Sequence, residues 1–161
     1  MTYLLDANVF IEAQKNYYSF ATCPAFWDWL IRENGTGKVV SHKSVLDELI
    51  DYGDELSAWA KHRGRAFFLS MDAQTTHHMA TVADWVQNAD YKQAVKNLFF
   101  SGADPILIAC ALAHGHTVVS HEVHVEGLKR KVKIPTVCRA LGVSCITTFQ
   151  MLAAENARFQ L

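Results

Sequence analysis

The chain alternates short, uncharged apolar runs with longer stretches in which apolar residues recur three and four positions apart. Tyr3-Leu4-Leu5 is the first such run, suited to a strand covered on both faces, and it ends abruptly in Asp6. Residues 8–17 carry Phe10, Ile11 and Ala13 at helical spacing. Aromatics then crowd in at Tyr17, Tyr18 and Phe20, and Pro24 opens a second helix bearing Phe26, Trp27, Trp29, Leu30 and Ile31. Asn34-Gly35-Thr36-Gly37 breaks that helix, residues 38–41 read as a second strand, and Ser44 opens a helix whose core stripe is Val45, Leu49 and Tyr52. This helix pauses at Gly53 and resumes through Leu56 and Trp59 toward Arg63. Residues 65–69 predict a third strand, Asp72 a cap for a helix over 75–86, and residues 91–100 an amphipathic helix. From Asp104-Pro105 to Ala113 the chain is apolar on nearly every side of a helix, the mark of a buried one. Residues 117–120 form a fourth strand, 135–141 a short helix, 145–149 a last strand, and 150–159 a final helix. Regular alternation of strand and helix without repeat or linker predicts one domain over 1–161, of the α/β class with a parallel sheet.

Composition narrows this picture. A chain of 161 residues, half of them hydrophobic and 19% charged, can bury a full core without disulfides or a structural metal. The four cysteines form no C-x-x-C pair, which fits a reduced, cytoplasmic protein. No signal-peptide pattern opens the chain, and the longest apolar run, 105–113, is about half a membrane span. A formal charge of −1 does not by itself point to nucleic acid. Neutralising four of the 16 acids, however, leaves 12 against 15 bases, so a phosphate substrate is not excluded.

Four acids stand where such a fold can bring them together. Asp6 follows the first strand, Glu48 lies in the helix after the second, Asp104 heads the buried helix, and Glu122 follows the fourth strand. In an open parallel sheet the C-terminal strand ends face a common crevice. Four carboxylates there repel one another unless hard cations such as Mg²⁺ or Mn²⁺, which prefer oxygen ligands, lie between them; such ions activate water and stabilise charge on a phosphoryl centre. Each acid also has a plainer role. Asp6 can cap a turn, Asp104-Pro105 is a good N-cap and first-turn pair, and Glu122 can be one more charge ending a strand. Asp47 competes with Glu48, but Glu48 lies nearer the buried side of the helix and is the choice.

Taken together, residues 4–11 (Leu-Leu-Asp-Ala-Asn-Val-Phe-Ile), 45–49 (Val-Leu-Asp-Glu-Leu), 103–112 (Ala-Asp-Pro-Ile-Leu-Ile-Ala-Cys-Ala-Leu) and 117–122 (Thr-Val-Val-Ser-His-Glu) resemble, in order, the four acidic motifs of the PIN-domain ribonucleases, the class that includes VapC-like toxins of toxin–antitoxin pairs. The resemblance implies a three-layer α/β/α sandwich with a mostly parallel central sheet and Mg²⁺- or Mn²⁺-dependent RNA cleavage. Asp6, Glu48, Asp104 and Glu122 would then be the catalytic, metal-binding acids, with Asn8 as a polar support. In the toxin case it implies an antitoxin partner that occludes the crevice with a basic side chain. Two departures stand out: the fourth acid is more often Asp in that family, and the aromatic stretch from Tyr17 to Trp29 is unusual for the short toxins. The chain is closer to a PIN-like subgroup of undefined function.

Lys129, Arg130, Lys131 and Lys133 follow the last acid and are the candidates for RNA phosphate contact, against a solvated loop. His121-Glu122-Val123-His124 lacks the H-E-x-x-H spacing of a zinc helix, and Cys138 and Cys145 have no diagnostic spacing from the histidines. Gly35-Thr36-Gly37-Lys38 is too short for a phosphate-binding loop. The four tryptophans suit core or oligomer contacts, which leaves room for a homodimer. The alternative to an endoribonuclease is a non-catalytic PIN-like module that binds a partner protein through its acidic pocket.

Overall fold

A computed structural model describes all 161 residues. Its centre is a five-stranded, wholly parallel sheet in the order β3-β2-β1-β4-β5. The strands are β1 (Tyr3–Leu5), β2 (Val39–His42), β3 (Phe68–Leu69), β4 (Thr117–Val119) and β5 (Cys145–Ile146). The helices between them are α1 (Ala7–Glu12), α2 (Pro24–Gly35), α3 (Lys43–Ile50), α4 (Glu55–Phe67), α5 (Ala73–Asn88), α6 (Gln93–Phe100), α7 (Asp104–His114), α8 (Ile134–Leu141) and α9 (Thr148–Ala154), with a π-helical turn at Ala13–Tyr17 directly after α1. This is the α/β architecture the alternation predicts. No single helix is long and apolar enough to cross a membrane.

The first strand lies in the middle because its residues cannot lie anywhere else. Tyr3, Leu4 and Leu5 are all buried, and β1 pairs with β2 through Tyr3↔Val39 and with β4 through Tyr3↔Thr117, Leu4↔Val118 and Leu5↔Val119. After β1 the chain builds outward to β2 and β3, then returns to the other side for β4 and β5. The strand order therefore reverses between β1 and β4, and the carboxyl ends of these two strands border the crevice where ligands bind in such sheets. Helix α7 has no polar face to speak of: Leu107, Ile108, Ala109, Cys110 and Ala111 are buried, and its long partner is α5.

The aromatic stretch after α1 belongs to the core. Trp27 Nε1 donates to Tyr18 O at 2.7 Å, Phe20 packs on Trp27 with ring centres 4.2 Å apart, and Tyr18 stacks on Phe26 at 4.7 Å. Phe10, fully buried, touches Trp59, Phe67 and Phe68 at 5.9, 6.0 and 5.8 Å. These rings tie α1 to α4 and β3, which steadies the segment that carries Asp6.

Four local expectations are corrected. The third strand is only Phe68–Leu69, because helix α4 runs on to Phe67 past a break at Gly64, whose φ of 63° needs a residue without Cβ. The helix expected to pause at Gly53 is two helices, with Asp54 accepting from Ser57 N to start the second. The fifth strand stops at Ile146 because Thr147 and Gln150 form a reciprocal capping box that starts α9 early. Asp104 does not cap α7; the N-cap is Ala103, and Asp104 lies in the first turn with its side chain released for other contacts.

Phe10→Ala should lower stability by about 3–5 kcal/mol, read as a shift of the urea midpoint. Tyr52, expected in the core stripe with Val45 and Leu49, lies past the end of α3 and is 62% exposed, so Tyr52→Ala should stay within about 0.5 kcal/mol of the parent.

Candidate active site

Asp6 is the N-cap of α1, its Oδ1 accepting from Ala7 N at 2.7 Å. The turn-capping role and the site role coincide in one side chain, because its second oxygen, Oδ2, accepts from Ser120 Oγ at 3.0 Å across the β1–β4 boundary. Ser120 is a hub: its Oγ also accepts from Asn8 Nδ2 at 3.1 Å and from Glu122 N at 3.1 Å. Asn8 Oδ1 in turn accepts from His121 N at 3.0 Å. Asn8 thus supports Asp6 through Ser120. Sequence reading missed Ser120, although a small hydroxyl ending an apolar strand beside a candidate acid was the available signal.

The structure brings the four acids close enough to feel one another's charge: Glu122 and Glu48 act on Asp6, and all three act on Asp104. Glu48 reaches across from α3, where its Oε1 accepts from Ala103 N at 2.9 Å just before α7. Asp47 points away, exposed and paired with Lys43 at 3.1 Å. Asp104 lies beside them on the first turn of α7, and Glu48, Asp104 and Lys131 line one cleft of about 260 Å³. Glu122 has both oxygens occupied: Oε1 accepts from Lys131 Nζ at 2.6 Å and Oε2 from Ile134 N at 2.8 Å.

The electrostatics follow from this crowding. Burial raises the Asp6 carboxyl to about 7; the Ser120 and Ala7 hydrogen bonds oppose the rise, and the charges of Glu122 and Glu48 add to it. Asp104 is raised further, to about 8, first by burial and then by Asp6, Glu122 and Glu48, with only the Lys131 charge opposing. Lys131 is held above its ordinary value, chiefly by its hydrogen bond to Glu122, and it feels Asp104 and Asp6 as well. Two carboxyls raised chiefly by burial and further by neighbouring acids are an arrangement that a cation relieves.

An all-oxygen donor set of this charge suits a hard divalent ion. Asp6 and Asp104 are the side chains that would hold it, with Glu48 and Glu122 around them. No three of the chain's His, Cys, Asp and Glu side chains are grouped so as to enclose an ion as they stand. The hydrogen bonds just described account for this, since Glu48 and Glu122 are turned onto backbone amides and Lys131. Histidines and thiols do not converge. His124 contacts Thr136 and Glu126, His121 contacts Thr148, and Cys138 and Cys145 are free thiols that hydrogen-bond to each other.

The basic cluster divides. Lys131 enters the crevice, while Lys129 pairs with exposed Asp90 at 3.3 Å and lies 5.7 Å from the Tyr91 ring centre. Lys133 Nζ donates to Val123 O at 3.2 Å, and Arg130 is exposed. A roomier concavity of about 600 Å³, lined by Trp85, Tyr91, His124 and Lys129 among others, lies away from the acids.

Both raised carboxyls hold protons in the folded chain that the unfolded chain has already released. Stability without added metal should therefore fall as pH rises from about 4 toward about 8, and level off above that. Asp104→Asn removes much of this penalty. It should melt higher than the parent at pH 8 by roughly 1–3 kcal/mol, or about 2–4 °C for each kcal/mol, with the gap narrowing toward pH 5; calorimetry across that range checks it.

Comparison with known proteins agrees with this geometry at the level of fold. The crystal structure of VapBC2 from Rickettsia felis bound to a DNA fragment from their promoter contains a chain similar to this one, with a TM-score of 0.55 and 14% identity over 91% of this chain and 98% of that one. The fold is accordingly PIN-like, as the four acidic motifs imply. No curated protein matches the sequence. A family model described as "Domain of unknown function (DUF4411)" matches residues 3–159, and with nearly its whole length matched, the chain belongs to that family.

Proposed function

We propose that the protein is a metal-dependent endoribonuclease that hydrolyses RNA phosphodiester bonds. The observation that carries this reading is the placing of Asp6 and Asp104 near the strand-order reversal, both raised well above the usual carboxylate range first by burial and then by the charges of Glu48 and Glu122, with Asp6 adding to the rise at Asp104. The PIN-like fold shared with the Rickettsia felis chain is consistent with it.

When bound between the carboxylates, Mg²⁺ or Mn²⁺ supplies charge neutralisation at the scissile phosphate and a more acidic water. The chain's own residues do the rest. Ser120 and Ala7 N fix the orientation of Asp6, Asn8 fixes Ser120, and Ala103 N fixes Glu48. Lys131, reaching into the crevice from a half-exposed position, is placed to exchange Glu122 for a phosphate oxygen. Lys129, Arg130 and Lys133 lie further along the same loop and would track the strand's phosphates. The protein with which the matched chain was crystallised supports a further proposal: a cognate antitoxin, masking the crevice with a cation where Lys131 now sits.

The Lys131–Glu122 pair also favours a second reading, a non-catalytic module whose acidic pocket binds a partner protein. Cleavage separates the two. Purified protein with Mn²⁺ should cut single-stranded RNA, and Asp6→Asn and Asp104→Asn should each slow cutting by about 10²-fold or more. Tight partner binding with no cutting by the parent would establish the second reading instead. Gly102→Ala gives a finer check, since its Cβ would lie 3.3 Å from Glu48 Oε1. The glutamate end can move aside at little cost in stability, so cleavage should drop by about tenfold while the melting temperature stays nearly unchanged.

A further inference from the structure

Beside Glu122 lies a second concavity of about 460 Å³, whose walls include Tyr17, His121 and Phe149 together with Asn8 and Glu122. The three rings come from distant parts of the chain. Tyr17 ends the π-helical turn, His121 follows β4, and Phe149 lies in the first turn of α9. They nonetheless pack as a set: Tyr17 stacks on His121 with centres 5.6 Å apart and planes 22° apart, and Phe149 meets both edge-on at 5.1 and 5.5 Å. This set faces solvent, with Tyr17 50% and Phe149 44% exposed. Its place is held firmly. His121 N is bonded to Asn8, its Nε2 to Thr148, and the wider turn of a π-helix, a feature frequent at functional sites, ends on Tyr17.

We propose that this cluster is a stacking subsite for an unpaired nucleobase of the RNA strand whose phosphate lies at the carboxylates. The proposal rests on the nuclease reading for its substrate and specifies that substrate as single-stranded. Exposed aromatic surface beside the carboxylates matches a base, which stacks on such rings whatever its sequence. The charges around the rings argue against the alternative contents. Glu12 and Glu122 also line the concavity and repel a phosphate, so the backbone stays on the Lys131 side and the base turns inward. A duplex cannot present a base there without unpairing it.

The test uses the full chain carrying Asp104→Asn, which keeps the RNA intact, and a short oligoribonucleotide with 2-aminopurine at each position in turn. Its fluorescence is quenched on stacking. Binding should quench one position, favour the single strand over the matching duplex, and weaken by about tenfold in Tyr17→Ala and in Phe149→Ala, while Tyr17→Phe keeps both affinity and quenching. Cleavage by the otherwise unaltered chain is measured in parallel. If that chain cuts RNA but Tyr17→Ala and Phe149→Ala bind and quench like the parent, the subsite is wrong and the nuclease reading stands. If nothing is cut yet quenching occurs and depends on Tyr17, the subsite stands and the nuclease reading fails. A cluster that serves instead to dock a partner protein gives no quenching at any position, which overturns the subsite.

Discussion

The hydrogen bond from Ser120 to Asp6 is the contact around which the site is built. It joins the ends of β1 and β4, the two strands between which the order of the sheet reverses, and so it marks where the crevice opens. Because Asp6 is also tied to Ala7 N, its carboxylate cannot turn away from its like-charged neighbours. The crowding of acids is therefore imposed by the fold and cannot relax by side-chain rotation alone. Glu48 and Glu122 find donors, in Ala103 N and in Lys131 with Ile134 N, whereas Asp104 has only the distant charge of Lys131 to offset its burial.

That imbalance links packing to function. Burying carboxyls costs stability unless protons, cations or hydrogen bonds compensate, and the surrounding core has to supply the difference. Much of it comes from an aromatic assembly around Phe10, Trp27 and Trp59, which anchors α1 behind Asp6. The same stretch that builds this core ends α1 in a π-turn and turns Tyr17 outward toward His121 and Phe149. One segment thus stiffens the back of the site and furnishes the exposed rings at its edge.

Lys131 gives the crevice a built-in cation. It approaches Glu122 from a loop, remains half exposed, and feels three of the four acids. A side chain so placed can neutralise the pocket at rest and yield to a stronger cation or pair with a phosphate. Its neighbours Lys129 and Lys133 are committed to Asp90 and to the Val123 carbonyl, so adjacent residues in one charge run have different partners.

Periodicity alone determined the architecture, because an uncharged run such as Tyr3–Leu5 can lie only between covered faces and an all-apolar helix such as α7 only in the interior. It also placed Asp6 and Glu122 after strand ends and Asp104 on a first helical turn, whereas Glu48 lies one turn further into α3 than expected; burial side favoured Glu48 over Asp47, which the structure shows paired outward with Lys43. What it could not decide depends on partners far away in sequence. Local spacing does not fix which acid Ser120 meets, that Lys131 reaches Glu122, or that Tyr17, His121 and Phe149 close into one cluster across more than a hundred positions. Strand ends slipped for a related reason: a glycine at φ 63° and a capping box outweigh β propensity at Gly64 and Thr147, and these are contests between local interactions that only the assembled fold resolves.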